Sequence, residues 1–284
     1  MTNCLVCGAE LSKGIVCDSC KSNPFKIEKL RQKLAEKSDL INLKKTYSQD
    51  FATLEDINSP DMWDFYVKYH RSVEKENKTT QKRIQETIKL IPKDASSVLD
   101  IGVGYGFELE ELHKKFPHLL LAGIDLSAEA IRNIKQKFNG DFRVGSAENL
   151  PWNDNSFDTV LLLETLEHIP STNTFTVLNE VQRVLKNEGA LLVSVPLYEN
   201  LEMNTFKCPV CRTLINANGH VRSYTPELII SELKLAKFSV KKIKKIFFVS
   251  KTKQLRMVLS HIFPSHFKPC NILIKAKKEN VHES

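Results

Sequence analysis

The chain has 284 residues, 42% of them hydrophobic, with a net charge of +7 and 7 cysteines. That is enough apolar material for one full α/β core with small additions, and no apolar run approaches the roughly 20 residues that a membrane-spanning helix needs. The N-terminus shows no signal-peptide core, and six of the cysteines fall in Cys-x-x-Cys pairs, which favours metal ligation over disulfides and makes the cytoplasm the expected compartment.

In chain order, Cys4, Cys7, Cys17 and Cys20 form Cys-x2-Cys-x9-Cys-x2-Cys. Four thiolates at that spacing fill the shell of Zn²⁺, and so short a segment has no core without the metal. Residues 1–24 are therefore expected to form a zinc ribbon. From Phe25 to about Thr46, Ile27, Leu30, Leu34 and Ile41 recur at helical spacing, and Ser59-Pro60-Asp61-Met62 reads as a helix start. Residues 25–94 are read as a helical linker and cap, with a helix over Thr79 to Ile91. The cap aromatics Trp63, Tyr66 and Tyr69 are either core or a wall of an acceptor pocket.

The most informative stretch is Val98-Leu99-Asp100-Ile101-Gly102-Val103-Gly104-Tyr105-Gly106. Glycines at alternate positions let a strand turn sharply into a helix while a ligand approaches the backbone. An acid ahead of them is unhelpful to a pyrophosphate but suits a cofactor carrying an ammonium and a sulfonium. A second strand, Leu119 to Ile124, ends in Asp125, at the spacing where an acid binds ribose hydroxyls. Apolar runs at Asn155 to Leu163 and Gly189 to Pro196 suit a sheet buried on both faces.

This ordered set resembles the class I S-adenosylmethionine-dependent methyltransferases, of the type 11 kind, over roughly residues 95 to 280. The resemblance implies a Rossmann-like α/β fold: seven strands, mostly parallel, helices on both faces and an antiparallel seventh strand. The domain would span 95–279, with an insertion at about 197–222. Asp100, Gly102, Gly104 and Gly106 would cradle the methionine part of the cofactor, Asp125 would grip the ribose, and Leu126 would flank the adenine. Ser146 stands where an adenine-contacting Asp is usual, with Ala147, Glu148 and Glu164 completing the cofactor set. Glu164-Thr165-Leu166-Glu167-His168-Ile169 resembles the Leu-Glu-His segment of small-molecule O-methyltransferases, which makes His168 a candidate base or, equally, a helix-orienting residue.

A second cluster, Cys208, Cys211 and His220, offers three ligands of another zinc site. Cys270 is the expected fourth, because the strand Asn271 to Ala276 should run antiparallel beside the one ending at Pro196; Glu199, Glu202 and His266 compete for the place. From Lys234 to Lys278 the chain contains bases and no acid, a surface for phosphate or simply solvated lysines, and the tail after Ala276 is expected to be disordered. No Asn/Asp-Pro-Pro-Tyr/Phe motif follows the Asn155 to Leu163 strand, which argues against amino-methyltransfer to exocyclic base nitrogens. The expected acceptor is a small molecule or lipid-linked metabolite. An RNA acceptor, or a cofactor-binding module without turnover, are the alternatives.

Overall fold

The computed structural model describes residues 2–3, 10–11, 60–75, 78–207, 214–216, 218–247 and 270–279. Cys4, Cys7, Cys17, Cys20, Cys208, Cys211, His266 and the helix expected over 25–46 lie outside the described residues. Near the N-terminus, β1 (Thr2–Asn3) pairs antiparallel with β2 (Glu10–Leu11). Helices α1 (Pro60–Lys75) and α2 (Lys78–Ile88) precede the sheet. Then β3 (Ser97–Ile101), α3 (Phe107–Lys115), β4 (Leu120–Asp125), α4 (Ala128–Lys135) and β5 (Asp141–Val144) build one half. The other half comprises β6 (Phe157–Leu163), α5 (Ser171–Val184), β7 (Leu185–Pro196), α6 (Pro226–Leu235), and the later strands of the same sheet. Between β7 and α6 sits a small hairpin, β8 (Thr205–Lys207) with β9 (Leu214–Asn216), inside the span expected as an insertion. Finally β10 (Phe238–Ile246) and β11 (Asn271–Lys278) close the edge.

The sheet has seven strands in the order β10-β11-β7-β6-β3-β4-β5. Strands β7, β6, β3, β4 and β5 are mutually parallel, and β11 is antiparallel to both its neighbours. Alternation along each strand assigns side chains to the two faces. Leu99, Val160, Leu162, Leu191, Val193, Ile272 and Ile274 pack with Val177, Leu178 and Val181 of α5 and Ile229 and Leu233 of α6. Val98, Leu161, Leu163, Leu192 and Leu273 pack with Leu109 and Leu112 of α3 and Ile131 and Ile134 of α4. Each such fully buried side chain contributes roughly 1.5–3 kcal/mol relative to exposure. The seven-stranded Rossmann-like architecture expected from the sequence is therefore the one observed.

Several element ends differ from expectation. Helix α2 stops at Ile88 rather than Ile91, because Pro92 disfavours helical backbone in the residue before it and the chain turns through a Leu90 N–H to Thr87 carbonyl bond instead. Strand β7 starts at Leu185, directly off α5, and absorbs an irregularity opposite Phe157 and Thr159, with Glu188 at φ 62°. The tail after Ala276 was expected to be disordered. Instead Lys277 and Lys278 continue β11, opposite Ser239 and Phe238, because β10 offers them a ladder. No helix among the described residues is long and apolar enough to cross a membrane.

Chain direction fixes where a ligand can sit. From β3 the chain moves outward through β4 and β5, then returns to β6 on the other side of β3. Loops leaving β3 and β6 therefore diverge and open a crevice at the carboxyl ends of the strands, the usual ligand position of such sheets.

Candidate active site

A cavity of about 820 Å³ occupies that crevice. This is near the upper end of the 300–1,000 Å³ typical of small-molecule sites, with room for two ligands side by side. Its lining includes Gly102, Gly104, Asp125, Leu126, Ser146, Ala147 and Glu148 from the β3–β5 side of the sheet, Glu164 after β6, and the ring group of Trp63, Tyr66, His168 and His220, joined by edge-on contacts.

In the loop after β3, Gly102, Gly104 and Gly106 all have positive φ, at 80°, 46° and 74°. Their roles differ. A Cβ on Gly102 would stand 2.6 Å from Thr165 Oγ1, and one on Gly106 would stand 2.1 Å from Ile134 Cδ1. A Cβ on Gly104 would meet nothing within 4 Å, although Gly104 lines the cavity. Two glycines thus allow close packing and the third leaves space for a ligand. Thr165 locks the two strand-end loops together by donating its hydroxyl to the Ile101 carbonyl at 3.0 Å.

Asp125 is held by backbone donors. Gly104 N–H reaches Oδ2 at 2.9 Å and Ser127 N–H reaches Oδ1 at 2.8 Å. Burial pushes its carboxyl above the ordinary value, against those two N–H donors. Asp100 is 3% exposed, and burial, then Glu108 and Asp125, push its carboxyl well above the usual range. Of the two acids only Asp125 lines the cavity; Asp100, like Gly106, does not, and burial favours the neutral form of both carboxyls. Arg83 of α2 donates to Glu108 at 2.5 Å.

Sequence reasoning missed Asp64 of α1. Its carboxylate accepts the Ser127 hydroxyl at 2.5 Å and the Glu129 N–H at 2.9 Å, so it clamps the cap onto the N-terminus of α4 beside Asp125. Tyr105 adds a second clamp, donating its hydroxyl to the Tyr66 carbonyl at 3.0 Å. Further along the lining, the Glu148 N–H donates to Ser146 Oγ at 3.2 Å, and the Glu148 carboxylate accepts from Asn173 Nδ2 at 2.8 Å. Glu164, at φ 51°, accepts from Ser194 Oγ at 2.7 Å and Asn271 Nδ2 at 2.6 Å, which fixes it against β7 and β11.

The ring group joins aromatics and imidazoles. Trp63 lies edge-on to Tyr66 at 5.8 Å between centroids and to His168 at 4.7 Å; His168 lies edge-on to His220 at 4.8 Å. His168 Nδ1 is 3.1 Å from the Gly219 carbonyl, and His220 Nδ1 is 2.5 Å from Glu199 Oε2. Burial, and then His220, lowers His168 to about 3, so its imidazole is neutral near pH 7 and a weak proton acceptor. That works against His168 as the general base, since such a base is most effective with a pKa near the working pH.

Of the expected second zinc site, Cys208 and Cys211 lie outside the described residues, and His220 and Cys270 are placed as follows. His220 faces Glu199 and His168, whereas Cys270 donates its thiol to the Ile246 carbonyl at 3.3 Å. Cys270 does reach the end of β7, where its carbonyl accepts the Leu197 N–H at 2.7 Å, but it joins no cluster of three potential ligands among the described residues. Glu202 is exposed. Of the cap aromatics, Trp63 and Tyr66 line the cavity, and the side chain of Tyr69 lies outside the described residues.

Residues 99–193 match the family described as the methyltransferase domain. A demethylmenaquinone methyltransferase of Thermotoga maritima is 29% identical over 179 residues, covering 56% of this chain and 76% of that protein. A ubiquinone/menaquinone biosynthesis C-methyltransferase of Desulfotalea psychrophila is 34% identical over 98 residues, covering 34% of this chain and 39% of that one. Two Methanocaldococcus jannaschii relatives are likewise spanned over only 50% and 40% of their length. Among solved structures, a chain from the complex of the Haloferax volcanii Trm112 methyltransferase activator with a methyltransferase superposes with a TM-score of 0.58 at 18% identity, covering 79% of this chain and 99% of that chain. The segment from β3 to β7 is thus similar to the methyltransferase domain, and the solved structure shares the fold.

Proposed function

We propose that the chain transfers a methyl group from S-adenosylmethionine to an aromatic or quinone-like ring of a small or lipid-linked acceptor. The observation that carries this reading is one cavity lined both by the glycine loop with Asp125 and by the ring group of Trp63, Tyr66, His168 and His220. The residues fit the cofactor. Gly104 leaves an open approach, and Asp125 sits at the carboxyl end of β4 where ribose hydroxyls bind. When bound, S-adenosylmethionine supplies a methyl group on a sulfonium, an electrophile that needs little side-chain chemistry.

The chain's own contribution is then alignment and exclusion of water. Asp125 and the Gly102–Gly106 loop set the donor's position. Trp63 and Tyr66 offer flat apolar surface to a ring, and Glu164, pinned by Ser194 and Asn271, keeps the strand ends from spreading. The relatives named for quinone biosynthesis make a demethylated quinol the first acceptor to assay. Enzyme and isotopically methyl-labelled cofactor are incubated with that quinol and, in parallel, with cell extract separated into RNA, protein, lipid and small-molecule fractions. Label in the quinol or the lipid and small-molecule fractions supports the reading; label confined to RNA, or none anywhere, contradicts it. The zinc ribbon over residues 1–24, with Cys4, Cys7, Cys17 and Cys20 as ligands, remains part of the proposal on their spacing alone.

A further inference from the structure

Within the cavity lining, Glu167, His168 and His220 each bring one potential ligand atom to within 4.8 Å of the others. Glu167 is 1% exposed, lines the cavity, and has neither carboxylate oxygen in a hydrogen bond. A carboxylate buried without hydrogen bonds is unfavourable unless a cation or donor meets it, and the nearby Arg83, whose guanidinium bonds Glu108, offsets this only in part. The two imidazoles are already oriented by their Nδ1 atoms, one against the Gly219 carbonyl and the other against the Glu199 carboxylate. Outer carbonyl and carboxylate partners of this kind orient imidazoles that ligate metals. Gly219, at φ 71°, brings that carbonyl to His168; a Cβ there would stand 3.2 Å from Trp63. The main chain adds a brace, since Val221 and Arg222 both donate their N–H to the Glu167 carbonyl and so hold the segment carrying His220 against the one carrying His168.

We propose that Glu167, His168 and His220 bind a divalent first-row transition cation such as Zn²⁺ in the cavity, with Glu199 as the outer partner of His220. Two imidazoles and one carboxylate are a ligand set suited to such ions. Ligand atoms on a tetrahedral centre stand about 3.4 Å apart, so the cluster tightens by little more than an ångström on binding. Three protein ligands leave a position open toward the cavity. That position suits an anionic oxygen of an acceptor, a consequence that rests on the methyl-transfer reading, whereas metal binding itself does not.

The test is titration of the metal-stripped full chain with Co²⁺, followed by visible absorption. Thiolate ligation adds intense sulfur-to-metal charge transfer, which nitrogen and oxygen ligation lacks, so any cysteine site is distinguished from this one. The expected result is one equivalent without charge-transfer bands, bound at least tenfold more weakly in Glu167→Gln and in His220→Gln. Unchanged titration in both variants, or a wild-type chain with no such equivalent, overturns the proposal. So does loss of a charge-transfer band in His220→Gln, which would place His220 with Cys208 and Cys211 instead. If Glu167→Gln fails to fold, the wild-type spectrum decides alone. S-adenosylmethionine binding, measured on the same samples, separates failure of the metal site from failure of the functional reading.

Discussion

The three glycines of the β3–α3 loop are alike in sequence and unlike in consequence. Gly106→Ala places a methyl against Ile134 at a φ that L-residues seldom adopt, and should cost about 2–4 kcal/mol of stability, seen as a lower denaturant midpoint. Gly104→Ala meets no atom, so its expected cost is only about 1 kcal/mol from backbone strain. Its effect should appear instead as weakened S-adenosylmethionine binding, measured by calorimetry, since the methyl would intrude where Gly104 lines the cavity. Asp125, Gly102 and Gly104 were legible as cavity residues because their signal is local, an acid at a strand end and glycines at alternate positions, whereas Asp100 and Gly106 carry the same signal and do not line the cavity. Asp64, Thr165 and the Glu199–His220 pair were not, because each partner is distant in sequence and only folding selects it. His168 was legible as a residue of interest, but the burial that weakens it as a base belongs to the folded environment.

Two polar contacts join elements that the hydrophobic pattern alone would leave loosely aligned. Glu86 of α2 pairs with Lys82 at 3.0 Å, Lys89 at 2.8 Å and Lys244 of β10, tying a helix to the edge of the sheet. Bonds to Lys244 first, then Lys89, hold its carboxyl at about 2 rather than 4.5. A depressed carboxyl stabilises fully above its unfolded value and loses that contribution as pH falls through the folded one. Glu86→Gln should therefore lower Tm by about 2–3 °C near pH 6, a gap that closes as pH approaches about 2. Deeper in the structure, Arg222 is fully buried and binds Glu232 of α6 at 2.5 Å and the Thr174 hydroxyl of α5. Arg222→Met strands a buried carboxylate, and chemical denaturation should show a loss of about 3–5 kcal/mol. Strand β10 itself was hidden among the lysines of the basic segment. Lys241, Lys242 and Lys245 are exposed on an edge strand, where charge discourages pairing with another chain.

Across the whole molecule, the order of strands does more for function than any side chain. The reversal between β5 and β6 opens the crevice, the glycine loop lines it, and α1 roofs it through Asp64 and Trp63. The central strands were readable as continuous apolar runs, because parallel strands buried on both faces leave such stretches, whereas the order of all seven followed only from the family resemblance; β5 and β10 carry no such run. The chemistry around His168 and His220 was not readable, since it depends on the segment after β7 folding back onto the loop after β6. The net charge of +7 does not by itself name a nucleic-acid partner. Acceptor KM should change less than about twofold between roughly 50 and 200 mM salt, where a substrate held by many phosphate contacts would weaken by orders of magnitude. The most direct test of the account is calorimetric titration of the full chain with S-adenosylmethionine, alongside Asp125→Ala checked for retained fold. One equivalent should bind, with affinity reduced about 10- to 100-fold in the variant, as loss of a hydrogen bond to a charged group implies. No binding by the wild-type chain, or equal binding by the two, would contradict it.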